Sequence, residues 1–341
     1  MSDIFNKLLI LRTPGIGSAK FNALIQKFGS VDAAVSAMCP GDELRDMLSD
    51  EMARAKSLGI EYISDQDELY PSGLREIKNH PPVISVRGNL NVLRHDMISI
   101  VGTRHATAAG MELIADIAQR FAENNTAVVS GMAIGTDTAA HCGALRAASG
   151  AGTVAVLAGG VDYIWPLENE SLYYRILDCG VVISEMPVGF TPVATNFVQR
   201  NRIVAGLSRR LILGEADEKS GSMTTARFAS ELNREIWAIP SHPSDLRSVG
   251  PNSLIRSGVA RLCMGAGDFF ALSKKDNIHK KKSPEKESEK NLIDALGTIP
   301  VSESVLAQIV KKTVSEIKAE LVVMELGGLV RKVDGGYIRL R

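Results

Sequence analysis

The middle of the chain alternates short apolar runs with longer segments of helical period. Apolar runs that are each followed by a helix are typical of parallel strands buried on both faces. The pattern predicts strands at Met97–Val101, Ala127–Ser130, Thr153–Leu157, Val181–Ser184, Arg210–Gly214, Ile236–Ile239 and Arg261–Met264. It predicts helices at Ala108–Asn124, Asp137–Ala148, Ser171–Asp178 and Thr224–Arg234. Residues 79–272 are therefore expected to form an α/β domain with a doubly wound, mostly parallel sheet.

The flanking regions have other patterns. Residues 1–78 predict a small helical domain and a turn-rich connector, and one strand follows at Val83–Val86. Residues 273–290 mix lysine and glutamate without an apolar period, which is typical of a charged linker. Residues 291–341 predict three helices and two short strands joined by a glycine turn, which is the pattern of a winged-helix domain.

The N-terminal region contains a glycine turn, Gly15-Ile16-Gly17, between two predicted helices. Such a turn exposes backbone N–H groups at the start of a helix, and these groups can hold a phosphate. The segment resembles a helix-hairpin-helix motif. An ordinary tight turn that needs glycine for its backbone angles explains the same residues equally well.

The predicted third helix of the C-terminal domain is acidic. It carries Glu316, Glu320 and Glu325 against Lys318 alone. Winged-helix domains often place this helix against duplex DNA, but phosphates would repel these carboxylates. A contact with another protein is at least as well supported, and a transcription factor is disfavoured.

The composition limits the class of protein. Among 341 residues, 39 basic side chains balance 39 acidic ones, so a nucleic-acid site must be a local patch. The four cysteines are scattered without CxxC spacing, which suggests neither a metal site nor disulfides. No apolar run has membrane-spanning length and no signal-peptide pattern opens the chain, so we expect a cytoplasmic protein with no membrane contact.

The most distinctive stretch is Phe197–Arg210, which holds four arginines in fourteen positions. Ile203, Val204 and Leu207 recur at helical spacing, so the stretch predicts an amphipathic helix with an arginine-rich entrance. Guanidinium groups suit phosphate oxygens and an aromatic ring offers a stacking face for a base. The alternative is that Arg200 and Arg202 pair with carboxylates inside the fold.

Four glycine-containing loops follow predicted strands: Gly102-Thr103-Arg104, Ser130–Asp137, Leu157–Asp162 and Lys219-Ser220-Gly221-Ser222. In an open parallel sheet, ligands bind at the carboxyl ends of the strands, where strand order reverses. Each loop places small residues and free N–H groups where an anion can approach. Together with the arginines, the loops predict a phosphate-binding face.

Motifs for nucleotide chemistry are missing. The sequence has neither GxGxxG nor GxxxxGK[ST], and neither HExxH nor GxSxG. His141 follows Asp137 by one helical turn, which suggests either an acid–base pair or a buried histidine bonded to a neighbouring loop. No set of nucleophile, base and orienting residue emerges, so we expect a binding protein with no catalytic residue, cofactor or metal.

The motifs resemble those of the DNA-processing protein A family (DprA/Smf). The resemblance is carried by Ile-Val-Gly-Thr-Arg at 100–104, Val-Ser-Gly-Met-Ala-Ile-Gly-Thr-Asp-Thr-Ala-Ala-His at 129–141, Ala-Val-Leu-Ala-Gly-Gly-Val-Asp at 155–162, Ile-Ser-Glu-Met-Pro at 183–187, Phe-Val-Gln-Arg-Asn-Arg-Ile-Val-Ala-Gly-Leu-Ser at 197–208 and Ser-Gly-Ser-Met-Thr-Thr-Ala at 220–226. The motifs stand in the family's order and cover the central domain.

The resemblance implies a Rossmann-like protein that binds single-stranded DNA without established enzymatic activity. Such a protein protects incoming strands during natural transformation and helps to load a RecA-type recombinase, and it self-associates through its central domain as a homodimer. The DNA-binding residues it implies are Gly102, Thr103, Arg104, Phe197, Arg200, Asn201, Arg202, Lys219, Ser220, Gly221 and Ser222. Ala194 stands where some members of the family have a DNA-contacting lysine.

An enzyme is the alternative: a nucleoside-monophosphate glycosyl hydrolase on a related scaffold. It is motivated by the loop at residues 220–225, which precedes a predicted helix carrying Glu231. Enzymes of that kind use a Gly-Gly-x-Gly-Thr loop with an acid and an arginine, whereas this chain has Ser-Gly-Ser-Met-Thr-Thr.

Overall fold

A computed structural model describes residues 2–147, 149–270, 292–297 and 300–340. The chain divides into two compact units, Met1–Lys274 and Lys275–Arg341. In the first unit the helices are α1 (Ser2–Arg12), α2 (Ser18–Phe28), α3 (Val31–Met38), α4 (Asp42–Ser57), α5 (Ser72–Arg75), α6 (Ala108–Glu123), α7 (Thr136–Ala144), α8 (Glu170–Cys179), α9 (Ala194–Leu207), α10 (Gly221–Glu231), α11 (Val249–Arg256) and α12 (Gly267–Phe270). Its strands are β1 (Ile60–Ser64), β2 (Val83–Gly88), β3 (Asp96–Val101), β4 (Thr126–Ser130), β5 (Thr153–Val156), β6 (Val181–Ser184), β7 (Arg210–Leu213), β8 (Glu235–Ala238) and β9 (Arg261–Leu262).

These strands form one sheet in the order β1-β2-β6-β5-β4-β3-β7-β8-β9. Strands β3 to β9 are parallel, whereas β2 runs antiparallel to both β1 and β6. After β3 the chain continues to β4 on one side, while β7 pairs with β3 on the other side. The switch point of this doubly wound sheet therefore lies between β3 and β7, where the fold class predicts a ligand crevice.

Both faces of the sheet are covered, which explains the continuous apolar strands. On one face Ile98 and Ile100 pack with Ile114 and Phe121 of α6. On the other face the core includes Val101, Leu211 and Leu213 with Ile203 and Val204 of α9. A strand that is apolar on both sides needs helices on both sides. The predicted α/β fold is confirmed.

The N-terminal helices pack against the edge of the sheet. Leu8, Leu9 and Ile10 of α1 share a core with Phe21 of α2 and with Val83 of β2. Strand β1 was not predicted, because its alternating residues Ile-Glu-Tyr-Ile-Ser are too short to stand out from the turn-rich connector. Residues 1–78 therefore contribute a strand to the main sheet as well as helices.

The second unit contains α13 (Glu303–Val310), α14 (Val314–Leu326), β10 (Val330–Val333) and β11 (Gly336–Arg339), after a short 3₁₀ turn at Leu292–Ala295. Strands β10 and β11 form an antiparallel hairpin. Leu306, Ile317, Leu321 and Tyr337 form the core of the unit. The predicted winged helix is confirmed, and the predicted linker at residues 273–290 lies outside the described residues.

A candidate nucleic-acid interface at the switch point of the sheet

A cavity of about 610 Å³ opens at the carboxyl ends of the central strands. The loops after β3 and β4, helix α9 and the start of α10 form its walls. Nine of the eleven predicted binding residues line it: Gly102, Thr103, Arg104, Phe197, Arg200, Asn201, Ser220, Gly221 and Ser222. Arg202 and Lys219 do not. Segments from three distant parts of the chain thus converge at the predicted crevice.

Glycines allow the walls to approach each other closely. A Cβ atom on Gly102 would lie 2.4 Å from Oγ1 of Thr136, and one on Gly131 would lie 2.7 Å from a terminal guanidinium nitrogen of Arg200. Gly135 has a φ of 79°, and a Cβ there would meet the Thr103 carbonyl oxygen at 2.6 Å. Larger residues would force these loops apart, so the cavity depends on glycine at all three positions.

The loop after β3 is fixed through its backbone. The N–H of Thr103 donates to the carbonyl oxygen of Glu215 at 2.6 Å, and its own carbonyl accepts from the Thr136 N–H at 3.2 Å. The next residue, Arg104, is exposed at the rim, and its guanidinium carbon lies 5.1 Å from the centre of the Trp165 ring. Within the described ranges no carboxylate forms a salt bridge with Arg104. Its charge is available to an anion.

An aromatic wall stands beside Arg104. The rings of Trp165 and Phe197 meet edge to face with centroids 4.5 Å apart, and both side chains are half-buried. Phe197 was predicted and Trp165 was not. The third glycine loop was recognised as Leu157–Asp162, three residues short of Trp165. An aromatic residue close behind a glycine loop at a strand end was the signal that could have revealed it.

Arg200 forms the floor of the cavity and is only 7% exposed. Its Nη1 donates to the Gly131 carbonyl at 2.5 Å and to the Val156 carbonyl, and its Nε donates to Oδ1 of Asn201 at 3.2 Å. Burial lowers the pKa of Arg200 to about 10, with Asp137 opposing the shift, so the group stays charged at neutral pH. The two bonds from Nη1 hold the ends of two strands together.

Arg202 lies on a different side of α9. It pairs with Glu185 and lines a separate cavity, next to the N-terminal helices. Two residues along a helix are about 200° apart around its axis, so Arg200 and Arg202 cannot face the same groove. The ion-pair alternative therefore describes Arg202 better than a contact in the first cavity. Lys219 is exposed and lies outside both cavities.

The start of helix α10 supplies polar groups. Ser220 caps the helix by accepting from the Met223 N–H, and Ser220 Oγ lies 2.6 Å from Ser222 Oγ. The amide of Asn201 donates to the Gly221 carbonyl at 3.2 Å, which ties α9 to α10. The first N–H groups of a helix have no partner within it and attract anions.

Asp137 and His141 do not act as a pair. Asp137 lines the cavity, where Oδ2 accepts from the Ala133 N–H at 3.2 Å and burial raises the pKa of its carboxyl. His141 is fully buried away from the cavity, with Nδ1 2.7 Å from Oγ1 of Thr153. Because the Thr153 hydroxyl donates to the Val128 carbonyl, Nδ1 of His141 carries the proton that it shares with Thr153. The buried-histidine interpretation is confirmed, with a strand residue as the partner.

We expect His141 to make the protein sensitive to mild acid. Burial lowers the pKa of His141 to about 3, whereas an unfolded histidine titrates near pH 6.5. Between these values the unfolded chain takes up a proton that the folded chain excludes, so the free energy of unfolding falls by about 1.4 kcal/mol per pH unit. Urea unfolding of the parent and of His141→Gln at pH 7 and pH 5 measures this. Equal losses of stability in the parent and in His141→Gln would contradict a role of His141 in the acid sensitivity.

The acid of the enzyme alternative lies far from the glycine-serine loop. Glu231 is the last residue of α10, which begins at Gly221, so about 15 Å of helix separate the two. Its exposed carboxylate pairs with Arg227 at 3.7 Å. This residue cannot serve a reaction in the cavity, and the hydrolase alternative is not favoured.

Neither a membrane helix nor a metal cluster occurs among the described residues. In the part of the chain that the structure describes, no helix is long and apolar enough to cross a membrane. Over the same ranges, no cluster of three or more histidine, cysteine, aspartate or glutamate side chains could hold a metal ion.

Comparison with known proteins places the chain in a family. Residues 61–274 match the model of "DNA recombination-mediator protein A". Residues 2–41 match a DprA-like N-terminal helix-hairpin-helix domain, and residues 280–336 match the DprA winged-helix domain. The matches cover all three predicted modules.

Individual relatives agree. The DNA processing protein DprA of Streptococcus pneumoniae is 38% identical over 205 residues, which cover 60% of this chain and 71% of that protein. Protein Smf of Escherichia coli is 30% identical over 292 residues, or 82% of this chain and 77% of that protein. Protein Smf of a Synechocystis strain is 38% identical over 202 residues, and the match spans only half of its length.

Solved structures show the same fold. The crystal structure of S. pneumoniae DprA has a TM-score of 0.67 at 30% identity and covers 81% of this chain and 99% of its own. The DprA of Helicobacter pylori, whose structure addresses its single-stranded DNA binding mode, has a TM-score of 0.57 at 28% identity and covers 63% of this chain and 96% of its own. From these matches and the cavity at the switch point, this chain belongs to the DNA recombination-mediator protein A (DprA/Smf) family.

Proposed function

We propose that this protein binds single-stranded DNA in the cavity at the switch point and acts without enzymatic activity. The observation that carries the proposal is the aromatic wall of Trp165 and Phe197 beside the cation of Arg104, which forms no salt bridge with a described carboxylate. A base stacks on aromatic rings whatever its identity, and an arginine at the rim attracts the backbone phosphate. The cavity of about 610 Å³ is of the size of small-molecule sites, so it suits a single unstacked nucleotide.

A single strand fits this site better than a duplex. Bases of a duplex are stacked on each other and expose only their edges, so they cannot reach the faces of Trp165 and Phe197 without being flipped out. The zero formal net charge agrees with a local site rather than with a protein coated in positive charge. The relative from H. pylori also binds single-stranded DNA.

Within this proposal the predicted residues have different roles. Thr103, Arg104 and the start of α10 at Ser220–Ser222 surround the phosphate. Phe197, joined by Trp165, receives the base. Arg200 and Asn201 hold the walls together from below.

Exchange of Arg104 tests the phosphate contact. We expect Arg104→Ala to weaken binding to every oligonucleotide sequence by a similar factor and to reduce the slope of log K against log salt by about one. Fluorescence anisotropy over a salt series measures both. Arg227→Ala is the matched control, since Arg227 is an exposed arginine of α10 outside the cavity. Equal salt slopes for the parent and Arg104→Ala would disprove the contact.

We further propose that the protein protects incoming strands and delivers them to a RecA-type recombinase in the cytoplasm, during natural transformation or another homologous recombination. The family description as a recombination mediator supports this role. The rate of recombinase filament assembly on a protein-coated strand tests it, and a rate that this protein leaves unchanged would refute it.

We also propose that the protein is a homodimer. The edge of the sheet at β9 supports this, because Val259, Leu262 and Met264 there are 47%, 44% and 74% exposed. Exposed apolar residues close together in sequence at a sheet edge are typical of protein contacts. Sedimentation equilibrium tests the proposal, and a monomer mass at micromolar concentration would contradict it.

A further inference from the structure

A second cavity of about 390 Å³ lies between the N-terminal helices and the sheet. Ile16 and Leu11 on the N-terminal side, with Met186 and Pro187 after β6, give it apolar walls. Its polar side chains are the neutral Ser18, Asn79 and Gln199 and the charged Arg12, Glu185 and Arg202. The cavity belongs entirely to the first compact unit.

Several polar groups of this second cavity are unused. The Nη1 atom of Arg202 is shielded from solvent and has no hydrogen-bond partner among the described residues, although the guanidinium also pairs with Glu185. The side-chain amides of Asn79 and Gln199 form no hydrogen bond with any described residue either. Of these three groups Arg202 Nη1 is the buried one, whereas Asn79 is half-buried and Gln199 is exposed. A buried donor without a partner costs stability, so Nη1 of Arg202 indicates a place where something else binds.

Helix α9 separates the two cavities. Phe197 and Asn201 face the first cavity, whereas Gln199 and Arg202 face the second. Val198, which also lines the first cavity, lies between these two sides of the helix and is 48% exposed. A chain that leaves the first cavity over this ridge of α9 arrives at the second one.

We propose that the second cavity is a nucleobase subsite for the same single strand. The inference rests on the proposed function of the first cavity. Glu185 pairs with Arg202 and Glu51 pairs with Arg12, so the site does not select for the charge of a phosphate. Apolar walls with amide groups that both donate and accept suit a flat, neutral, hydrogen-bonding base.

The distance between the cavities sets the length of strand that fills both. A helix with its side chains is about 10–12 Å across. A strand rises about 3.4 Å per nucleotide when its bases are stacked and more when they are not, so at most about three or four nucleotides cross the ridge. An oligonucleotide of about two nucleotides therefore fills only one cavity at a time, and one of about twelve fills both, within the range of single-strand site sizes.

The test compares short and long oligonucleotides by fluorescence anisotropy. The variant Asn79→Ala with Gln199→Ala removes two amides that no described residue needs. We expect it to bind the oligonucleotide of about twelve nucleotides about tenfold more weakly and the short one as well as the parent does. Ala19→Phe, which fills the cavity from α2 and leaves the polar groups in place, should have the same effect. Gln26→Ala, an exposed amide of α2 outside both cavities, is the control.

Each outcome separates the inference from the function on which it rests. Loss of affinity for the long strand alone, in both variants, supports the subsite. Unchanged affinity for the long strand, or equal losses for both lengths, overturns the subsite while the first cavity remains a binding site. If the parent binds neither length, the proposed function fails and the subsite fails with it.

Discussion

Replacing Arg200 with methionine should lower the free energy of unfolding by about 3–5 kcal/mol. Arg200 is 7% exposed, and its guanidinium donates to the carbonyls of Gly131 and Val156. Both acceptors lie at the ends of central strands, and methionine cannot satisfy them. The substitution also removes the cation whose field lowers the pKa of the buried Asp137, which then has only hydrogen bonds to support its charge. Urea unfolding measures the loss.

A second substitution separates the loss of the Arg200 hydrogen bonds from the loss of its charge beside Asp137. Adding Asp137→Leu to Arg200→Met removes the unsupported carboxylate, so the double variant should lose less stability than the sum of the two single losses. Arg104→Met is the matched control, since Arg104 is exposed and should change stability by less than about 0.5 kcal/mol. If Arg200→Met unfolds like the parent but no longer binds DNA, Arg200 is a ligand contact instead of a structural residue.

Removing the aromatic wall should have the largest effect on binding. Stacking of a base on an aromatic ring contributes about 1–3 kcal/mol, so Trp165→Ala should weaken single-strand binding by about five- to 150-fold. Phe197→Ala should act in the same direction, and the double variant should lose less than the sum because the rings support each other at 4.5 Å. Anisotropy with a labelled oligonucleotide measures the affinities.

Conservative variants make this result specific. Trp165→Phe and Phe197→Tyr keep a ring and should keep most of the affinity. Tyr174→Ala removes an aromatic ring that is 51% exposed on α8 and does not line the cavity, so it should bind like the parent. Binding by Trp165→Ala with parental affinity, in a folded protein, would show that the base does not stack there.

The sequence was sufficient for the fold because the strands are apolar on both faces. Runs such as Ala127–Ser130 and Val181–Ser184 carry that signal by themselves, and Gly131 after the first and Gly180 before the second mark strand ends. Strand β1 has neither property, since it lies at the sheet edge with Glu61 exposed, and it was missed.

The sequence predicted which residues line the candidate site better than it predicted how they are arranged there. Local motifs identified nine residues that now line one cavity, because the carboxyl ends of parallel strands share one edge. Helical spacing places Arg200 and Arg202 on different sides of α9, but which side faces the cavity depends on the N-terminal helices and Glu185, which lie against Arg202. Trp165 lies in an irregular loop, and such a loop has no hydrophobic periodicity from which the position of the side chain could be predicted.

The most direct test of the proposed function is a comparison of one oligonucleotide as a single strand and as a duplex. Anisotropy titrations at the same salt concentration give both affinities, and unlabelled competitors confirm them. If bases enter the cavity of Trp165 and Phe197, we expect the single strand to bind at least tenfold more tightly than the duplex. This factor corresponds to a binding free energy of about 1.4 kcal/mol, which is within the range that stacking of one base on an aromatic ring contributes. Equal or tighter binding of the duplex would contradict the account.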